Sequence, residues 1–243
     1  MAANERTSIR DALPSEFEQA ARVLHDAFFT SREHRYFAGA TAKDPGTLVL
    51  GTNKMTTRLR FYLSNVRATS ILGGRVRLVV SSDDAIVGVM LLQPPHKRIG
   101  ISPILLYQSG FGRVFWDWGL HGYKRIVKEW EEVTEAETRK KISYQEEHKT
   151  LLLHMLGVHP NFQRKGIGTL LLDDMKSIVD TSTMLYCATT QNRDMYTKNG
   201  FVEKGRWRIL SGIADEQGWP IEGIQKDQVE AEKETSYLMI MTR

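Results

Sequence analysis

Leu151-Leu152-Leu153-His154-Met155-Leu156-Gly157-Val158-His159-Pro160, continued by Asn161-Phe162-Gln163-Arg164-Lys165-Gly166-Ile167-Gly168-Thr169, decides how this chain folds. Its first eight residues form a nearly unbroken apolar run of strand length, as expected of a central strand covered on both faces. Pro160 ends that run. From Thr169 to Asp180, Leu170, Leu171, Leu172, Met175, Ile178 and Val179 predict a helix with a broad apolar face, and Met184 to Ala188 reads as the next strand. A strand, a helix and a strand in this order predict a right-handed parallel crossover at the centre of a sheet.

Working outward, Thr7 to Arg10 is strand-like, and Leu13-Pro14-Ser15-Glu16 opens a helix whose face carries Phe17, Ala20, Ala21, Leu24 and Phe28. A loop with Lys43-Asp44-Pro45-Gly46 leads to a second helix over Thr47 to about Ala68, with Leu48, Met55, Leu59, Leu63 and Val66 in phase and Gly73-Gly74 beyond its end. Arg75 to Val80 alternates, and Ala85 to Leu92 follows through Ser82-Asp83-Asp84, so the two predict a hairpin. Residues 94–150 place Trp116, Trp118, Tyr123, Ile126, Trp130 and Val133 among charges, with helical spacing in the second half, which predicts a helical insertion. After the crossover, Asn192 to Asn199 is a short helix stopped by Gly200, Phe201 to Leu210 and Ser236 to Thr242 are strands, and Asp215 to Glu234 is a long charged loop. The sum is one α/β (α+β) domain over residues 1–243, a mixed sheet of about seven strands flanked by helices.

Bulk properties narrow the classes. The chain has 243 residues, 41% apolar and 26% charged, enough to bury a core, and it shows no apolar run of membrane-crossing length. A single cysteine, Cys187, excludes an internal disulfide and a Cys-rich metal site, so no metal is expected and a cytoplasmic or nuclear setting fits. The net charge of +4 favours an anionic partner, but basic residues are interspersed with acidic ones, which argues against nucleic acid.

Gln163-Arg164-Lys165-Gly166-Ile167-Gly168 lies between the central strand and its helix, where first-turn N–H groups lack partners and the helix dipole is positive. Two glycines allow phosphate oxygens close to the backbone, and Arg164 and Lys165 add charge. A dinucleotide fingerprint is excluded because Leu171 stands where its third glycine belongs. A Walker loop is excluded because Thr169-Leu170, with no lysine, follow the last glycine.

Leu156-Gly157-Val158-His159-Pro160 followed by Gln163-x-x-Gly166-x-Gly168 resembles the acetyl-CoA signature of the GNAT superfamily of N-acetyltransferases, and Tyr196-Thr197-Lys198-Asn199-Gly200-Phe201 is similar to its second signature. The close resemblance covers Leu151 to Trp207. It implies the GNAT fold, acetyl-CoA as cosubstrate, and direct attack of an amine on the thioester. It also implies that Leu156, Gly157 and Val158 border the pantetheine arm and that Gln163, Arg164, Lys165, Gly166, Ile167, Gly168 and Thr169 cradle the pyrophosphate. Asn192 would contact the arm, and Arg193 and Lys198 would neighbour the outer phosphate.

The same resemblance makes Tyr196 the proton donor to the departing thiolate. The strand around His154 is similar to that of the serotonin N-acetyltransferases, which carry a histidine pair there; His154 matches the second, and Leu152 stands at the first. His154 reads either as a proton acceptor or as a hydrogen-bonded core residue, and Glu146, Glu147 and His148 are further candidates for the base. Similarity of the later half to the puromycin N-acetyltransferases, in the Asn192-to-Tyr196 spacing, implies a small-molecule, detoxifying role. Phe111, Phe115, Trp116, Trp118 and Trp130 could together wall a pocket for such an amine, although each taken singly reads first as core packing of the added helices. Cys187 reads as a small buried strand residue. The expected protein is a monomer or homodimer without membrane or nucleic-acid partner. The competing readings are a protein or peptide N-acetyltransferase and a non-catalytic acetyl-CoA-binding module.

Overall fold

The computed structural model describes residues 7–39, 57–100, 102–210, 213–215, 218 and 235–242. The loop at Lys43 to Gly46, the start of the second expected helix with Leu48 and Met55, and nearly all of the expected loop to Glu234 lie outside these residues.

In chain order the elements are β1 (Ser8–Asp11), α1 (Phe17–Ala27), α2 (Arg32–Ala38), α3 (Thr57–Ile71), β2 (Arg75–Val80) and β3 (Ile86–Gln93), then α4 (Pro103–Ser109) and α5 (Phe111–Tyr123). A π-helical stretch (Lys124–Glu131), α6 (Glu132–Arg139) and α7 (Tyr144–Lys149) lead to β4 (Leu151–Val158), α8 (Ile167–Ile178), β5 (Thr183–Cys187), α9 (Thr190–Lys198), β6 (Val202–Arg208) and β7 (Thr235–Met241). The segment between β3 and β4 is therefore helical in both halves, more than its spacing predicted. Pro103 starts α4, and Gly110, at φ +92°, turns the chain directly into α5. Helix α8 starts two residues before the expected Thr169, because Gly166 adopts φ +86° and caps it.

Among the described residues, seven strands form one sheet in the order β1-β2-β3-β4-β5-β7-β6, and every neighbour is antiparallel except β4 and β5. Alternate residues of the inner strands feed two cores. One face packs Leu78, Val89, Leu91, Leu152, Met184 and Leu238 against α1 to α5. The other packs Val79, Met90, Leu92, Leu153, Leu185 and Met239 against α8 and α9. Each fully buried Leu or Met contributes roughly 1.5–3 kcal/mol, so two-sided burial makes the inner strands the stable scaffold of the fold. Arg77 of β2 clamps Asp174 of α8 through two bonds of 2.8 and 2.6 Å, fixing α8 across the sheet.

Strand β4 bends at His154. Leu153 pairs with Leu92 and Met155 with Leu91, so His154 is an extra, unpaired residue in the ladder, a β-bulge. On its other edge β4 meets β5 only at Leu151↔Thr183 and Leu152↔Met184. Beyond that rung the two parallel strands part, and the gap between them is where the site lies.

Candidate functional site

A cavity of about 1240 Å³ runs from the turn before α8, through the β4/β5 gap, to the helices between β3 and β4. Its floor in the gap is backbone. His159 N–H donates to Val87 O at 2.9 Å, and ladder alternation then directs the Gly157 backbone towards β3 and the N–H and C=O of Leu156 and Val158 into the gap. Gly157 eases this packing: a Cβ there would lie 2.9 Å from Leu24 Cδ2 and 3.1 Å from Ala27 Cβ, so a larger residue would have to push α1 aside.

At one end, Gln163 Nε2 donates to Val158 O at 3.1 Å and Arg164 adopts φ +60°. The first intrahelical bond of α8 is Leu170 N–H to Gly166 O at 2.9 Å, leaving the N–H groups of Ile167, Gly168 and Thr169 before it without a capping side chain. A Cβ on Gly166 would meet nothing within 4 Å, and one on Gly168 only Leu156 Cδ2 at 3.9 Å. The space over this turn is therefore not occupied by the protein's own packing. Arg164 and Lys165 form no ion pair with the described residues; Lys165 Nζ sits 4.8 Å from the Phe162 ring. Free main-chain donors, an open cradle and two unpaired cations together suit a diphosphate.

Across the gap, Thr189 caps α9 by accepting from Asn192 N–H at 3.1 Å, which holds the exposed Asn192 at the cavity. Tyr196, one turn on, is only 8% exposed, packs edge-on against Phe201 at 5.6 Å and lines the cavity. Gly200, at φ +93°, ends the helix so that Phe201 can fold back onto that ring. Burial, with a smaller contribution from Cys187, raises the Tyr196 pKa, so its phenol keeps its proton at neutral pH. Cys187 is buried beside Met239 and its thiol is pushed up to about 12 by burial, which makes it a poor nucleophile.

His154 Nε2 lies 2.7 Å from Asn65 Oδ1, and Asn65 Nδ2 donates to Phe61 O. The amide oxygen can only accept, so Nε2 carries the hydrogen and Nδ1 keeps its lone pair; His154 itself lines the cavity. Burial, then the charge of Arg98, lowers the His154 pKa to about 4. His34 of α2 also lines the cavity, its Nδ1 2.7 Å from Tyr62 Oη, and burial with Arg58 and His154 lowers it to about 3. Both imidazoles are neutral near pH 7.

The other sequence candidates separate. Glu147 lines the cavity, whereas His148 pairs with His96 at 3.3 Å and Glu146 sits in the first turn of α7, its N–H bonded to the Ser143 hydroxyl. Arg193 is already engaged, 2.8 Å from Asp194 and 5.3 Å from the Tyr237 ring centre, while Lys198 is exposed. Of the five aromatics, Phe111, Phe115 and Trp130 line the cavity. Trp116 and Trp118 do not: one helical step turns Trp116 to solvent, 80% exposed, and Trp118 stacks on Phe61 at 5.4 Å.

Sequence reading missed Asn65, His34 and Tyr62. A signal was present in α3, where Arg58, Tyr62, Asn65 and Thr69 recur at helical spacing and are all buried, a polar stripe facing the core.

The family profile described as an acetyltransferase (GNAT) domain matches residues 73–203. No curated protein sequence matches significantly. Among solved structures, arylalkylamine N-acetyltransferase 2 from Aedes aegypti is 14% identical with a TM-score of 0.62, covering 98% of this chain and 99% of its own. The Drosophila melanogaster polyamine N-acetyltransferase, described as forming N-acetylagmatine, is 14% identical with a TM-score of 0.54 over 98% and 100%. A Corynebacterium glutamicum protein described as histone acetyltransferase HPA2 and related acetyltransferase is 15% identical, TM-score 0.56, over 97% and 96%. At these identities the likeness is one of fold.

Proposed function

The chain belongs to the GNAT acetyltransferase family, and from that premise we propose that it transfers acetyl from acetyl-CoA to the primary amine of a small molecule, by direct attack within a single catalytic domain. The observation that carries the reading is the continuity of one cavity from the open turn at Gly166 to Gly168, past Tyr196 and His154, to an aromatic chamber under the helices between β3 and β4. Phe111, Phe115 and Trp130 along its wall suit a small amine, and two of the structural neighbours are named for small amines.

The residues divide the work by their chemistry. The N–H groups of Ile167, Gly168 and Thr169, with Arg164 and Lys165, would hold the diphosphate, and the freed backbone of Leu156 and Val158 the pantetheine arm. Bound acetyl-CoA supplies the acetyl group as a thioester, so transfer to an ammonium forms one C–N bond, breaks one C–S bond and releases one proton overall. His154 Nδ1 offers the lone pair for the first proton of the ammonium group. With a pKa near 4 it holds that proton weakly, which makes it a relay to cavity water rather than a store. Tyr196 keeps its phenolic proton and donates it at the leaving sulfur.

The test is thiol release from acetyl-CoA over a panel of arylalkylamines, polyamines, aminoglycosides, amino acids and short peptides. Turnover with small amines and not with peptides supports the reading. Turnover with peptides alone, or cofactor binding with none of them acetylated, overturns it.

A further inference from the structure

The solved neighbours are named for both arylalkylamines and polyamines, so the acceptor has to be read from the cavity wall. That wall is uneven. Phe111, Phe115 and Trp130 make one side apolar. Where the π-helical stretch runs into α6, Glu131, Thr134 and Glu135 line the cavity instead, and with Thr138 they follow the spacing that puts residues on one helix face.

This face offers acceptors. Thr138 Oγ1 donates to Thr134 O at 2.7 Å, so at 3.1 Å it receives the hydrogen of Tyr186 Oη, whose own lone pairs stay free. Thr134 Oγ1 has no hydrogen-bond partner among the described residues although Thr134 is 6% exposed and lines the cavity. A buried hydroxyl without a partner is costly, and a donor on a ligand seated against Thr134 would relieve that cost. Glu131 makes no hydrogen bond or ion pair with the described residues; burial, then the neighbouring charge of Glu135 one turn on, raises its pKa to about 7, and a cation bound beside it would bring that back down. Glu135 is tied to Arg139 on the solvent side, and Glu147 approaches Tyr186 from α7. Arg98, which lines this end, points its guanidinium at backbone carbonyls, 2.9 Å from Pro94 O and 2.8 Å from Thr150 O, and forms no ion pair with Glu131 or Glu135. Like charges one turn apart destabilise a helix, and a cation between them relieves the repulsion.

The place is near the chemistry. Tyr186 on β5 and His154 on β4 each stand two residues past the last paired rung, Leu152↔Met184, on the two edges of the gap.

We propose that the Glu131, Thr134 and Glu135 face binds a second cationic group of the acceptor, so that preferred substrates are amines bearing an ammonium or guanidinium at their far end. This rests on the amine-acceptor reading above. The experiment compares thiol release with n-alkylamines, α,ω-diamines of the same length and a guanidinium-terminated amine, in the parent and in Glu131→Gln and Glu135→Gln. The parent should favour the dications by about ten-fold or more in kcat/KM at low salt, the preference shrinking at high salt. Glu131→Gln should bring the dication-to-monoamine ratio down to within about two-fold of unity. Acetylation of monoamines with no dication preference, or a preference that survives both substitutions, overturns the inference while leaving the amine-acceptor reading intact. Acetylation of none of these amines by acetyl-CoA-bound protein overturns both. The parent comparison needs no variant, so it stands even if a substitution disturbs folding.

Discussion

Replacing Gly168 by leucine should separate stability from cofactor binding. A Cβ at this position meets only Leu156 Cδ2, at 3.9 Å, an ordinary contact, and Gly168 sits in the first turn of α8. Leucine is a better helix former than glycine by about 0.8 kcal/mol in a helix interior, less at an end, so stability should hold or rise slightly. For a chain of this size that is a change in Tm of at most about 3 °C. Ligand binding should move the other way, because the side chain fills the cradle and blocks main-chain N–H groups. A hydrogen bond to a charged group is worth about 1.5–3 kcal/mol, so losing one weakens coenzyme A by roughly ten- to hundred-fold. Gly157→Ala is the contrast. Its Cβ would lie 2.9 Å from Leu24 Cδ2 and 3.1 Å from Ala27 Cβ, an overpacking expected to cost about 1–3 kcal/mol. Calorimetric titration with coenzyme A beside thermal melts reads both quantities. Parent-like affinity in Gly168→Leu would refute the reasoning, and so would a Gly168→Leu protein that melts well below the parent.

Tyr196→Phe should lower turnover by about ten-fold or more with coenzyme A affinity little changed, and an unaltered rate measured by thiol release would remove its role as proton donor. His34 and His154 have folded pKa values lowered from 6.5 to about 3 and about 4, so both are neutral when folded and become protonated on unfolding below pH 6.5. Their contribution is complete above that pH and is lost as pH falls towards 4 and then 3, by up to about 1.4 kcal/mol per pH unit for each histidine. Urea midpoints measured from pH 8 to pH 4 should fall over that window, less steeply in His34→Gln; an identical slope in that variant contradicts the assignment. Arg77→Ala leaves Asp174 without its clamp and should cost about 3 kcal/mol, visible in the urea midpoint, whereas removing both partners should cost less.

The central strand, the crossover and the short helix were legible because each combines an apolar period with a stop signal: Pro160 after β4, Gly200 after α9. The turn from Gln163 to Thr169 was readable because a strand, a glycine turn and a helix are contiguous in sequence, whereas Tyr196 entered only through the resemblance of residues 196–201 to the family's second signature. What the sequence did not disclose is the assembly across elements. Nothing near His154 announces the bulge that leaves it unpaired, because a bulge is a property of two strands in register. Asn65 is 89 residues away and reaches His154 only through packing of α3 on the sheet. Trp116 and Trp118 are indistinguishable from Phe115 by composition, and only the direction each takes around α5 tells the wall residue from the exposed Trp116 and the core-packed Trp118.

The account depends most on where the cosubstrate lies, and a crystal structure grown with coenzyme A measures that directly. It should place diphosphate oxygens within hydrogen-bond distance of the main-chain N–H groups of Ile167, Gly168 and Thr169, and the sulfur in the gap between β4 and β5, facing Tyr196 Oη. A ligand bound elsewhere, or a diphosphate held away from that turn with Tyr196 facing no part of it, would contradict the account.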